Sequence, residues 1–430
     1  RQDVPGGAGL RTAGASEIPG EDSIEHYTAE KAISFLRDRK KDGSFFLHVS
    51  FDRPHPPLSP SPEYADLYRP EDIPLPDPYS EDELARLPEH IRRRFTGGID
   101  SVHRMGEENM RRTLAHYYAL ITHIDHEIGR VIDELERQGL YDKAVIAFYA
   151  DHGDFAGSKG LFNKYSNTIY HDVIVRTPLL IKWPGQADGG TEVPRLCEAI
   201  DIFPTLAAAA GLESVPDGVQ GTDLRERVEN PEPRPEDTAF SESYGIKMLV
   251  QGGHKLIYYV NAPCGELYDL EADPEERWNL YDEPEYRDRR IRLKQLIVNT
   301  MTPPVSEKRK AFIRSLFDDS AGNRIHAAEK LQKWDKSVND GGGFWRVARE
   351  GCHLTVLPFD DRMQLERVDP ERVVRHRSTG LVPCDDTDRL EALLDELLDY
   401  LATTIRPVSL MSGGQRAWDN MLKTRGPGLC

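Results

Sequence analysis

Between Leu114 and Ala150 the chain spells out a helix and then a strand, and that pairing limits the folds open to it. Leu114, Tyr117, Ile121, Ile124, Ile128, Val131 and Leu135 recur at three-to-four spacing, which makes one face of a helix apolar. Gly139 follows as a stop signal. Ala144 to Ala150 is then an unbroken apolar run of strand length, read as a buried strand. Phe45–Phe51 and Pro178–Trp183 read as further strands, Ile24–Leu36 and Ile200–Ala210 as helices, the last closed by Gly211. Alternating helices and strands predict an α/β domain to about residue 235.

Asp151, His152 and Gly153 stand at the end of the Ala144–Ala150 run, with Lys164 twelve residues after His152. Sheets of α/β proteins place ligands beyond the C-terminal ends of their strands. The Phe45–Phe51 run leads likewise into Arg53-Pro54-His55-Pro56-Pro57. Two strand ends therefore offer His55, Asp151, His152 and Lys164 to one site. A carboxylate and an imidazole are metal donors, and an ammonium suits an anion. No residue of the chain reads as a nucleophile for such a site. Plainer readings stand beside these: Asp151 as the cap of a turn, Lys164 as a surface lysine, His55 as a loop histidine fixed by its prolines.

These motifs resemble the sulfatase family of the alkaline-phosphatase superfamily. The matching segments are Phe45–Tyr68, Tyr117–Leu140, Ala144–Gly185 and Gly265–Leu280, in the family's order between Tyr27 and about Leu296. The resemblance implies an α/β fold, an alkaline-phosphatase-like mixed sheet flanked by helices, with a small C-terminal antiparallel α+β subdomain. It implies a sulfuric ester hydrolase acting on a small-molecule or saccharide sulfate ester. Asp151 and His152 would be metal ligands, Lys164 would hold a sulfate oxygen, and His55 would contact the sulfate and protonate the departing alcohol. Imidazoles as a class titrate near neutrality and suit that last role. Glu242 and Tyr244 are weaker matches for the rim. The implied metal is divalent, calcium foremost, with manganese or magnesium as alternatives. The same motifs resemble phosphonate monoester and phosphodiester hydrolases of the superfamily. A third reading is a non-catalytic fragment or pseudoenzyme that binds an anion or a partner.

The chain also departs from the family. Family members begin with a strand ending in paired Asp, followed by Cys-x-Pro-x-Arg or Ser-x-Pro-x-Arg, whose Cys or Ser becomes formylglycine. None of Cys197, Cys264, Cys352, Cys384 and Cys430 has Pro two and Arg four residues later, so formylglycine is not encoded in this chain. The expectation is a chain that lacks the family's N-terminal portion. Lys159 stands where many relatives carry His, and His171 where many carry Glu. Leu354–Asp361 ends in paired Asp as the absent strand would, but Pro358 is expected to interrupt it.

The Pro/Glu-rich stretch 229–237 divides the chain into a partial catalytic domain, 1–235, and a C-terminal α+β subdomain, 236–301. The latter is read from short runs at Ile246–Val250, Lys255–Val260 and Glu266–Asp269 and a helix near Arg289–Met301. Residues 302–430 show no resemblance, but they hold an amphipathic helix at 388–402 whose leucine face fits a core or a homo-oligomer contact. Pro54–Pro78 reads as an extended surface loop. The arginine-rich stretch His90–Arg112 reads either as a mobile basic loop near the site or as a solvated loop-and-helix face. A net charge of −18 argues against nucleic acid as a partner. No apolar run is long enough for a membrane-spanning helix. The five irregularly spaced cysteines suggest no disulfide framework and fit a reducing, cytoplasmic setting.

Overall fold

The computed structural model describes residues 14–40, 43–98, 100–164, 169–185, 189–216, 219–243, 245–260 and 262–301, the backbone of three strands between 345 and 368, and Asp395. The chain forms two compact units, Arg1–Glu232 and Pro233–Cys430.

In the first unit, helix α1 (Ile24–Asp38) starts at Ser23, whose hydroxyl accepts from the His26 N–H at 3.1 Å. Short helices α2 (Pro62–Ala65), α3 (Glu81–Ala85), α4 (Glu89–Gly97) and α5 (Val102–Met105) lead to the long helix α6 (Glu107–Arg137). Then come strand β1 (Ile146–Tyr149), α7 (Asp172–Val175), strand β2 (Leu179–Lys182), α8 (Ile202–Ala209) and α9 (Arg225–Glu229). Strands β1 and β2 are antiparallel, with Phe148 opposite Leu180. Ala29, Ala32, Ile33 and Leu36 of α1 form one core with Val131 and Leu135 of α6. A second core joins Met110, Leu114 and Leu120 of α6 to Leu58, Ile73 and Phe162. The fold is thus mixed α/β, with helices and antiparallel strands.

Three local readings of the sequence need correction. The apolar stripe of α6 is only part of what it buries: Ile121 is 43% exposed, while His123, Glu127 and Glu134 are buried. Those polar groups have partners on α1, which a hydrophobicity pattern does not register. Glu127 bonds His26 at 3.1 Å, Glu134 bonds Arg37 at 3.1 Å, and His123 lies 3.5 Å from the Ser23 hydroxyl. Burial pushes the His123 pKa down, against the pull of Glu25, Glu127 and Glu63. Of the two readings of the arginine-rich stretch, the mobile loop gives way to the loop-and-helix face: helices α4, α5 and the start of α6 fill most of it, with Glu89 paired to Arg92 and Arg93, and Glu108 to Arg112, one turn apart.

The third correction concerns Phe45–Phe51. It is extended but joins no ladder among the described residues. Its residues still alternate as a strand's do: Leu47, Val49 and Phe51 pack on the α1–α6 core, while Phe46 is 77% exposed. Strand β1 is likewise not the buried strand its composition predicts, for Phe148 and Tyr149 are exposed. Both segments have the side-chain pattern of sheet strands without neighbours to cover them.

The second unit holds the antiparallel meander β3 (Thr238–Ser243), β4 (Ile246–Gln251), β5 (His254–Tyr259) and β6 (Gly265–Asp269). Helix α10 (Arg287–Met301) packs Leu293 and Ile297 onto Leu249, Leu256 and Leu267. Strand β3 is not legible as a strand, because only Ala239 and Phe240 of its six residues are apolar. Lys255 and Glu276 form a buried ion pair at 2.5 Å. Cys264 is disulfide-bonded, which the spacing of the cysteines does not announce.

Strands β7 (Trp345–Arg349), β8 (Cys352–Phe359) and β9 (Arg362–Val368) form a separate antiparallel sheet. Strand β8 continues through Pro358, which stands opposite Met363, so the proline does not interrupt it. The predicted helix at 388–402 lies outside the described residues except for Asp395, which is helical and pairs with Lys294 at 2.6 Å. Among the described residues no helix is long and apolar enough to cross a membrane.

Candidate active site

Strand β1 delivers Asp151 and His152 just past its C-terminal end. Asp151 is exposed, and its Oδ1 accepts from the His152 N–H at 2.9 Å. The next residue must be small. A Cβ on Gly153 would stand 2.0 Å from the Val173 carbonyl oxygen. The Gly153 N–H donates to the Ile174 carbonyl at 2.7 Å, which fastens the motif to α7.

Asp154, which the sequence reading passed over, organises the following loop. Its Oδ1 accepts from the N–H of Ala156 and from that of Asn163, both at 2.9 Å, and so closes the loop at its two ends. Gly160 has a φ of +76° and sits against Pro78 and Val102, a place for glycine alone. Closure of this loop brings Lys164 back to His152. Lys164 Nζ lies 3.1 Å from His152 Nε2, and His152 Nδ1 lies 2.9 Å from the Gly153 carbonyl. Of the four residues read from the sequence, Asp151, His152 and Lys164 are therefore brought together.

His55 bonds within its own loop. It is exposed, its Nδ1 bonds the Pro56 carbonyl at 2.8 Å, and its N–H bonds the Asp52 carbonyl at 3.1 Å. The segment leading to it does run beside β1: the His48 ring stacks on Tyr149, centroids 6.4 Å apart. Glu242 belongs to the second unit, where it pairs with Lys247, and Tyr244 lies outside the described residues.

The two departures from the family's pattern are partners. Lys159 and His171 are both buried, with Lys159 Nζ 2.7 Å from His171 Nδ1. The pair sits among Phe95, Phe155 and Tyr79.

As metal donors, Asp151 and His152 fit in kind but not in number. Among the described residues no group of three His, Cys, Asp or Glu could hold an ion.

The sulfatase family model matches residues 17–212, and that for the C-terminal part of N-sulphoglucosamine sulphohydrolase matches residues 157–302. Over residues 17–212 the chain is similar to the sulfatase family. An arylsulfatase of Clostridium perfringens (strain 13 / Type A) is 31% identical over 283 residues, 64% of this chain and 57% of that one. A choline-sulfatase of Rhizobium meliloti (strain 1021) is 32% identical over 288 residues, 63% of this chain and 54% of that one. The phosphonate monoester hydrolase from Silicibacter pomeroyi has the same fold, with a TM-score of 0.57 at 25% identity over 66% of this chain and 60% of that one. The chain thus spans little more than half the length of the curated relatives it matches. The similarity implies a divalent metal.

Proposed function

We propose that the protein is a sulfuric ester hydrolase, cleaving a small-molecule or saccharide sulfate ester to an alcohol and sulfate. The observation that carries this is the Lys164 ammonium, held 3.1 Å from His152 and beside Asp151 at the end of β1. A fixed cation there stabilises charge on the sulfate oxygens, which grows as the ester bond breaks. His55, on an exposed loop, gives a proton to the leaving alcohol. The names of the arylsulfatase and choline-sulfatase relatives support the ester class.

Asp151 and His152 would hold a divalent ion only jointly with donors beyond the described residues. Calcium is the first choice, with manganese and magnesium as alternatives; calcium prefers six or more oxygens, whereas an imidazole donor favours a transition metal. When bound, the ion supplies positive charge to the ester oxygens. The nucleophile is not among this chain's residues, which carry no Cys-x-Pro-x-Arg. On this reading it comes from a polypeptide segment outside the sequence.

A second reading, phosphonate monoester or phosphodiester hydrolysis, draws support from the 25% identity to a solved phosphonate hydrolase. Competition between an aryl sulfate and an aryl phosphonate monoester for the site separates the two. Preferential binding of the sulfate supports the first, and preferential binding of the phosphonate the second. A protein that takes neither is the third reading, a non-catalytic relative.

A further inference from the structure

We propose that Glu25 and Arg53 are positioning residues that hold the loop presenting His55. This rests on the reading of His55 as the group that faces the leaving alcohol. The loop has few backbone donors of its own, since Pro54, Pro56 and Pro57 have no N–H. The His55 N–H bonds the Asp52 carbonyl at 3.1 Å, the Ser59 N–H the Pro57 carbonyl at 2.9 Å, and His55 Nδ1 the Pro56 carbonyl at 2.8 Å. These bonds stay within the loop, and none of them ties it to the core.

Arg53 does so with both ends of its guanidinium. Nη1 donates to the His55 carbonyl at 3.1 Å and to the Pro57 carbonyl. Nε donates to Oε1 of Glu25 at 3.2 Å. Glu25 lies in the first turn of α1 and is 5% exposed, so the far end of this clasp is set in the core. The planar fork of arginine can reach a carboxylate and two carbonyls at once, whereas a lysine ammonium is a single point. The chain of contacts runs from a buried carboxylate through one guanidinium to the peptide carbonyls on either side of Pro56. Losing it frees the loop on which the His55 ring is carried, while the α1–α6 core stays intact.

The test is the ring resonance of His55 in the full chain labelled with ¹³C-histidine, assigned through His55→Ala, with and without 4-nitrophenyl sulfate. In the wild type the resonance is narrow and moves when the ester is added. In Glu25→Gln and Arg53→Lys it broadens or moves toward free histidine. Ester affinity then falls by no more than it does in His55→Ala. The His152 resonance and the melting temperature change little. Ester-free spectra of both variants that superimpose on the wild type would overturn the proposal. If the ester fails to move His55 in the wild type, the leaving-group role of His55 falls, while the ester-free spectra still decide the clasp. If Glu25→Gln does not fold, Arg53→Lys, which keeps the charge and loses the fork, decides it.

Discussion

Lys164 Nζ lies 3.1 Å from His152 Nε2, so a prospective anion-binding group and a prospective metal ligand share one lone pair. An ammonium can only donate, so Nε2 accepts and Nδ1–H donates to the Gly153 carbonyl. An ion that takes Nε2 must displace Lys164. The Lys164→Met variant is therefore expected to bind manganese several-fold more tightly than wild type, measured by the loss of the free-ion EPR signal. The vacated lone pair and the removed positive charge act in the same direction. Unchanged manganese affinity would mean that Nε2 takes no part in binding the ion.

Gly153 is expected to tolerate no side chain. In Gly153→Ala the new methyl meets the Val173 carbonyl at 2.0 Å, a backbone atom with little freedom to move. The predicted cost is about 1–3 kcal/mol in urea denaturation, as for other overpacked positions. Unchanged stability would show that the β1–α7 junction can open without penalty.

Much of this site was legible, and the reasons for the rest are physical. The spacing of Asp151, His152 and Lys164 works because Asp154 closes the intervening loop, and Asp154 itself looked like one more acid in a polar stretch. The buried line of α6 was half hidden, because His123, Glu127 and Glu134 count as surface residues until α1 supplies their partners. Phe45–Phe51 reads as a strand and is extended without a ladder among the described residues, because a ladder is a property of two segments and alternation says nothing of whether a neighbour is present. The clasp on His55 needed coordinates altogether, since Glu25 and Arg53 are 28 residues apart.

Acid should reveal Glu134. Hydrogen bonds from Arg137, Gln138 and Arg37 lower its pKa from 4.5 to about 2. The unfolded carboxyl takes a proton first as pH falls, so the stabilising contribution is whole above 4.5 and is lost progressively toward 2. Glu134→Gln is therefore expected to lose less melting temperature than wild type between neutral pH and about pH 3. Parallel melting curves for the two proteins would contradict this.

The buried Lys255–Glu276 pair predicts an asymmetry between single and double variants. Glu276→Ala removes the carboxylate that the buried Lys255 ammonium pairs with and should cost about 3–5 kcal/mol in denaturant melts of the second unit's signal. Adding Lys255→Met should recover most of that loss, because the buried charge is what is expensive. A double variant no more stable than Glu276→Ala would assign the cost to the backbone at Glu276, whose φ is +54°.

The most direct test of the proposed function is the equilibrium affinity of 4-nitrophenyl sulfate for the full chain, compared with Lys164→Ala and His55→Ala. The account predicts saturable binding by the wild type, a loss of at least about tenfold in Lys164→Ala from the missing charge, and a smaller loss in His55→Ala. A wild type that binds no sulfate ester, or two variants that bind it as well as the wild type, would contradict the assignment of this site to sulfate ester hydrolysis.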